Sequence, residues 1–159
     1  KKQFNLNAYI DSRIKERKKV LLGMPFKDTW YISPGDSYIS TLINDAGGEY
    51  LWSGTKSKIS MPMALETVFS EAVNADFWLN IGSVTKREEI TTLDSRLENL
   101  PCFANGNLYN NNNRENPGGG NDYWEPACIA PNIILKDIAS ILHPELFEGY
   151  GLFYYKPVR

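Results

Sequence analysis

Apolar positions along the chain follow two rhythms, one of about four residues and one of short unbroken runs. Leu6, Ile10 and Ile14 recur every fourth residue with Tyr9 alongside, so one apolar stripe predicts a helix over 3–18. Val20 to Met24 is continuous and apolar, which suits a strand covered on both faces, as in a parallel sheet. Residues 25–31 read as a loop or hairpin edge carrying Phe26, Trp30 and Tyr31. Ser33-Pro34-Gly35-Asp36 then offers turn and N-cap chemistry. Ile39, Leu42, Ile43 and Ala46 form the next helical face, which Gly47-Gly48 stops. A short strand is expected over 49–52. Ser60 and Pro62 read as the start of a helix whose buried stripe is Leu65, Val68, Phe69 and Ala72.

Phe77-Trp78-Leu79 is a second core strand, ended by Asn80-Ile81-Gly82-Ser83, and helical pieces fill 86–98. Asn107-Leu108-Tyr109 is a third strand. Pro131 opens a last helix with Ile134, Ile138, Ile141 and Leu142 on one side. His143-Pro144 closes it, because proline disfavours helix at the residue before it. The tail 152–155 reads as a strand or a surface strap. Alternating strands and helices predict a three-layer α/β sandwich with a mostly parallel sheet. Ligands of such sheets sit outside the carboxyl ends of the strands. Segments after Met24, Leu79 and Tyr109 would gather there, placing Trp30, Tyr31, Gly82 and the following Asn-Gly loop along one rim.

That loop, NGNLYNNNNRENPGGGNDYWE over 105–125, is the most unusual stretch of the chain. Its polar run from Asn110 to Asn113, Arg114, Pro117 and Gly118 to Gly120 predicts a segment outside any core. Two readings fit it. One is a solvated surface loop. The other is a binding lip, in which glycines let backbone approach a ligand, amides such as that of Asn112 and the Arg114 guanidinium hydrogen-bond it, and Tyr123 and Trp124 stack on it.

Composition narrows the classes. With 159 residues and 42% hydrophobic residues, the chain can build one globular core. A formal net charge of -2 without a basic stripe argues against nucleic acid as a partner. Cys102 and Cys128 have no CxxC spacing and no neighbouring His, so neither a metal site nor a metal cofactor is expected. The cysteines read as two buried thiols or as one isolated disulfide. No apolar run approaches the ~20 residues of a membrane span. Motifs for a nucleophile elbow, a P-loop or a dinucleotide fold are absent. The lone His143 reads as a capping or surface residue rather than a base. Asp122 and Glu125 could pair as carboxylates for glycoside hydrolysis, although Asp122 serves equally as an N-cap. Glu66 reads as an exposed glutamate near a helix N-terminus. The expectation is a binding protein without catalytic residues.

Several pieces, in order, carry a family resemblance. Val20-Leu21-Leu22 precedes Ser33-Pro34-Gly35-Asp36-Ser37 and a helix ending Ala46-Gly47-Gly48. Leu65-Glu66-Thr67-Val68 precedes Ala75-Asp76-Phe77-Trp78-Leu79, and Asn105-Gly106-Asn107-Leu108-Tyr109 follows. Asp122-Tyr123-Trp124-Glu125 then precedes Pro131-Asn132-Ile133-Ile134-Leu135. Together they resemble the C-terminal lobe of periplasmic substrate-binding proteins of ABC importers, in the class carrying cobalamin, haem and iron-siderophores. The resemblance implies two α/β lobes joined by a long helix, with cargo clamped between them. Residues 1–18 would be the end of that helix and 19–159 a single lobe, the N-terminal lobe being absent from this chain. It also implies a periplasmic, lipid-anchored protein that is not an enzyme and whose partner is an inner-membrane permease. Carried over by position, Trp30 or Tyr31 and Asp122, Tyr123 and Trp124 would touch cargo, and Glu66 would dock on permease arginines. Where the cobalamin branch can carry an arginine after the aromatic-glutamate pair, this chain has Pro126, and Arg114 would supply the cation. The other function classes that fit the residues are a chelatase-like α/β enzyme acting on tetrapyrroles and a glycan-binding module.

Overall fold

The computed structural model describes residues 6–82, 84–112 and 131–159. A five-stranded sheet forms its centre, in the order β4 (Gly48–Tyr50), β1 (Lys18–Leu22), β6 (Phe77–Leu79), β7 (Leu108–Asn110), β8 (Lys156–Pro157). The first four strands are parallel, and β8 runs antiparallel to β7. Helices flank this sheet, so the expected α/β class with a mostly parallel centre is the observed one.

The unbroken apolar runs became its central strands. Val20, Leu21, Trp78, Leu79 and Leu108 are all buried, as strands covered on both faces must be. Helix α2 (Tyr38–Asp45) starts on Ser37, whose side chain accepts the Ser40 N–H. It packs against α6 (Pro131–Leu142), where Ile134, Ile138, Ile141 and Leu142 are buried as their spacing requires. In α3 (Leu65–Ala72), Leu65, Val68 and Ala72 face inward.

A second, three-stranded antiparallel sheet was only half foreseen. The chain leaves β1, turns into the hairpin β2 (Pro25–Phe26) and β3 (Thr29–Ile32), and pairs with β5 (Met61–Ala64). Residues 61–64 were expected to open a helix, yet Pro62 lies opposite Tyr31 in an edge strand and the helix begins at Leu65. An edge position tolerates proline, because its missing N–H faces away from the ladder.

The first helix is also shorter than its apolar stripe. Helix α1 spans Leu6–Arg13, with one further backbone bond from Ile14 N–H to the Ile10 carbonyl. Beyond it Lys15, Arg17, Lys18 and Lys19 would stack like charges three and four apart. Arg17 instead donates to the carbonyls of Asn44 (2.9 Å) and Gly48 (3.0 Å). Helix α4 (Arg87–Leu93), a 3-10 turn at Ser95–Asn99 and the short helix α5 (Pro101–Ala104) connect β6 to β7.

The tail is a strap before it is a strand. Asp137 on α6 is fully buried, and its carboxylate accepts the backbone N–H groups of Phe153, Tyr154 and Tyr155. The Tyr150 hydroxyl adds a bond of 2.6 Å. A buried carboxylate is tolerable because donors surround it. Burial, and then its hydrogen bond to that charge, hold the Tyr150 hydroxyl well above its ordinary range. Among the described residues no helix is long and apolar enough to cross a membrane.

Candidate functional site

At the carboxyl edge of the sheet the strand ends open a cavity of about 530 Å3. One wall is the end of β1, with Leu22, Gly23 and Met24. Ser33, just after β3, and Ser37, Tyr38 and Ile39 at the start of α2 form another part of the lining. Asn80 and Gly82 after β6, Asn111 after β7, and Ile134 of α6 complete it. This is where an open α/β sheet is expected to bind a ligand. No charged side chain occurs among these described lining residues.

Two indoles hold the floor. Trp30 Nε1–H donates to the Leu22 carbonyl at 2.9 Å, and Trp78 Nε1–H donates to the Gly23 carbonyl at 2.6 Å. Their rings lie 5.7 Å apart. Of Trp30 and Tyr31, between which the expected cargo contact lay, Trp30 is 0% exposed. It occupies the inward side of β3 and supports the pocket from behind. Tyr31, the next residue, is 54% exposed and is not among the described lining residues.

The loop after β6 is built from conformations few residues adopt. Asn80 has φ 56° and Gly82 φ 52°, the left-handed region that Asn and Gly tolerate best. A Cβ on Gly82 would also press on the Met24 side chain. Asn110 fixes this loop. Its Oδ1 accepts the Ile81 N–H at 2.9 Å, and its Nδ2 donates to the carbonyls of Gly82 (3.1 Å) and Val84 (2.7 Å).

The described part of the asparagine run, Asn110 to Asn112, is not solvated. Asn110, Asn111 and Asn112 are 0%, 1% and 4% exposed. The amides of Asn110 and Asn112 serve as hydrogen-bonding partners for loop backbone that no strand satisfies. Asn112 Nδ2 donates to the Val84 carbonyl at 3.1 Å, leaving its Oδ1 buried without a hydrogen-bond partner among the described residues. Arg114, Asp122, Tyr123 and Trp124 lie outside the described residues, as does Cys128.

Other candidates fall elsewhere. Glu66, in the first turn of α3, is exposed and sits 3.6 Å from Arg96 Nη1. Arg96 is itself held by Asp94 at 2.7 Å and lies over the Phe69 ring. The same hydrogen-bonded pair keeps the Asp94 carboxyl below its usual range. His143 is 3% exposed rather than a surface residue. Its Nε2 lies 2.9 Å from the Gly47 carbonyl, so the ring locks the end of α6 onto the turn before β4. Gly47 there has φ 86°, and a Cβ would meet that imidazole at 2.9 Å. Cys102 is a buried free thiol that burial pushes up to about 11, which makes it a poor nucleophile. Among the described residues no three His, Cys, Asp or Glu side chains gather to hold a metal ion.

Residue spacing did not single out Asn80, Tyr38, Ser37 or Met24. The signal was present in Asn80-Ile81-Gly82 directly after an apolar strand, where a turn at the carboxyl edge is expected.

No protein-family model matches the chain. It is similar, at 23% identity over 141 residues, to an uncharacterised lipoprotein of Methanocaldococcus jannaschii, covering 87% of this chain and 32% of that protein. Among solved structures it is similar to a periplasmic solute-binding protein from Veillonella parvula, with a TM-score of 0.67, 18% identity, and coverage of 92% of this chain and 43% of that one. An ABC transporter solute-binding protein from Sulfurospirillum deleyianum gives a TM-score of 0.65 at 16% identity, with 92% and 43% covered. A TroA-like periplasmic binding protein, FepB, from Veillonella parvula gives 0.65 at 12% identity, with 97% and 52% covered. The fold is that of solute-binding proteins. The chain spans about a third of the length of the curated relative and about half or less of these three structures.

Proposed function

We propose that this chain is one wall of a solute trap: the C-terminal lobe of the solute-binding component of an ABC importer. It would capture a cobamide, haem or ferric siderophore between two lobes and pass it unaltered to a membrane permease. The observation that carries this reading is the open, uncharged pocket at the carboxyl edge of a sheet whose fold matches solute-binding proteins. Half a clamp is what such a pocket suggests, since the matched structures are about twice as long. Under this reading α1 is the end of the rod that joins the lobes. The lipoprotein relative supports a periplasmic, lipid-anchored setting.

Glu66 is the residue we assign to the permease. It is exposed and turned outward at the start of α3, with Arg96 beside it. Such a charge steers encounter more than it sets affinity. Tyr31, Asn112, Arg114, Asp122, Tyr123 and Trp124 are proposed on the cargo side. Arg114 would meet a carboxylate or phosphate of the cargo through its planar fork of donors.

The test is native mass spectrometry and absorbance of the full-length protein with cyanocobalamin, haemin and ferric siderophores. One of the three is expected to bind stoichiometrically and be released unchanged. The isolated lobe is expected to bind poorly, because half the contacts are missing. Micromolar binding by the lobe alone, or turnover of a tetrapyrrole or glycoside, would contradict the reading.

A further inference from the structure

We propose that Asn80 contacts the cargo, offering an N–H donor to an uncharged carbonyl oxygen, and that Tyr155 sets which end of its amide faces the pocket. This rests on the solute-capture reading and narrows the cargo to a metal chelate whose face toward Asn80 is neutral and rich in amide, hydroxamate or ester carbonyls.

The backbone of Asn80 explains only part of its identity. At φ 56° it needs Asn or Gly, and its carbonyl accepts the Gly23 N–H at 3.1 Å. The side chain carries a second assignment. Its Oδ1 accepts the Tyr155 hydroxyl at 2.6 Å, from a tyrosine that is itself fully buried. A carboxamide whose oxygen is taken has two N–H donors left. Among the described residues Nδ2 has no hydrogen-bond partner, and it is not a buried orphan. Asn80 lines the cavity, so those donors are left to whatever fills it.

The surroundings select the acceptor. Met24, Ile39 and Ile134 present apolar surface, and Ser33 and Ser37 add only hydroxyl and backbone groups. An anionic oxygen would be desolvated here without a counter-charge among the described lining residues, which is costly. A neutral carbonyl loses little and gains the hydrogen bond.

Calorimetric titration of the full-length protein with cyanocobalamin, a ferric trihydroxamate and haemin tests this. One of the two carbonyl-bearing chelates is expected to bind more tightly than haemin. Asn80→Gly, which keeps the left-handed backbone, is expected to weaken that binding roughly tenfold. Asn80→Asp keeps the Tyr155 bond but has no N–H, and should lose at least as much. Tyr155→Phe should cost about threefold in the wild-type background and nothing further on top of Asn80→Gly, since it acts through that amide. Asn80→Gly is expected to keep the wild-type circular dichroism spectrum while lowering Tm by a few degrees, because the Tyr155 hydroxyl loses its acceptor. If a chelate binds wild type, Asn80→Gly and Asn80→Asp with equal affinity, the donor assignment is wrong and solute capture stands. Tighter binding of haemin than of both carbonyl-bearing chelates overturns the cargo class. If wild type binds none of the three, solute capture of such chelates falls and the inference falls with it.

Discussion

The two ends of the central sheet each carry a cavity of similar size and opposite chemistry. At the carboxyl edge about 530 Å3 is lined by glycine, amide, hydroxyl and apolar groups. At the amino edge about 510 Å3 is lined by Arg13, Lys15, Glu16, Lys18, His143 and Glu145. Volume alone would not tell a binding site from a dent in the surface. The charged end is partly self-satisfied: Lys18 reaches Glu16 at 3.0 Å, and His143 Nδ1 lies 3.7 Å from Glu145. The neutral end is over-supported instead, with left-handed backbone at Asn80 and Gly82, two indole bonds to β1 and the Asn110 clamp. Strained backbone held by many partners is the arrangement expected of a functional rim.

The largest effect that would break this contrast comes from Trp30→Ala. Removing a fully buried indole and its bond to Leu22 should cost ~3–5 kcal/mol in chemical denaturation and abolish cargo binding. A variant of wild-type stability would show that the pocket floor does not depend on it. Asn110→Ala comes next. The loop N–H and carbonyl groups left unpaired should cost ~2–3 kcal/mol, together with faster amide exchange at Ile81. The smallest effect belongs to the charged end. Lys18→Ala should leave Tm unchanged at neutral pH, since exposed pairs contribute little. The hydrogen bond from Lys18 lowers the Glu16 carboxyl below its ordinary value. Whatever it contributes is therefore present above the ordinary carboxylate range and lost as pH falls through the lowered value. A strong acid-side destabilisation that Lys18→Ala removes would mean that the amino edge contributes to stability as the carboxyl edge does.

The elements that could be read from the chain are those whose signal is local. β1 and β6 are short apolar runs, and α2, α3 and α6 repeat apolar residues at helical spacing, so burial follows from the pattern itself. The carboxyl-edge rim followed from strand order. What escaped depends on distant partners. Asn110 to Asn112 look solvated because asparagine usually is, yet the Asn110 amide is satisfied by a loop 26 to 29 residues earlier. His143 is buried by a glycine carbonyl 96 residues away. Pro62 suggested a helix start, but β3 claimed it for an edge strand. Residue types alone could not say which of the adjacent Trp30 and Tyr31 faces inward; on β3 Trp30 is buried and Tyr31 is exposed.

The strap over α6 guards the rest of the molecule. It delivers Lys156 and Pro157 to the open flank of β7, and Val158 N–H closes onto the Leu108 carbonyl at 2.8 Å. A proline and a lysine make a poor template for a further strand. Proteolytic trimming before Phe153 would strip that guard and orphan the Asp137 carboxylate in one stroke. The exposed flank of β7 would then recruit other copies, and the first symptom would be fibrous or amorphous precipitate rather than a change in cargo preference.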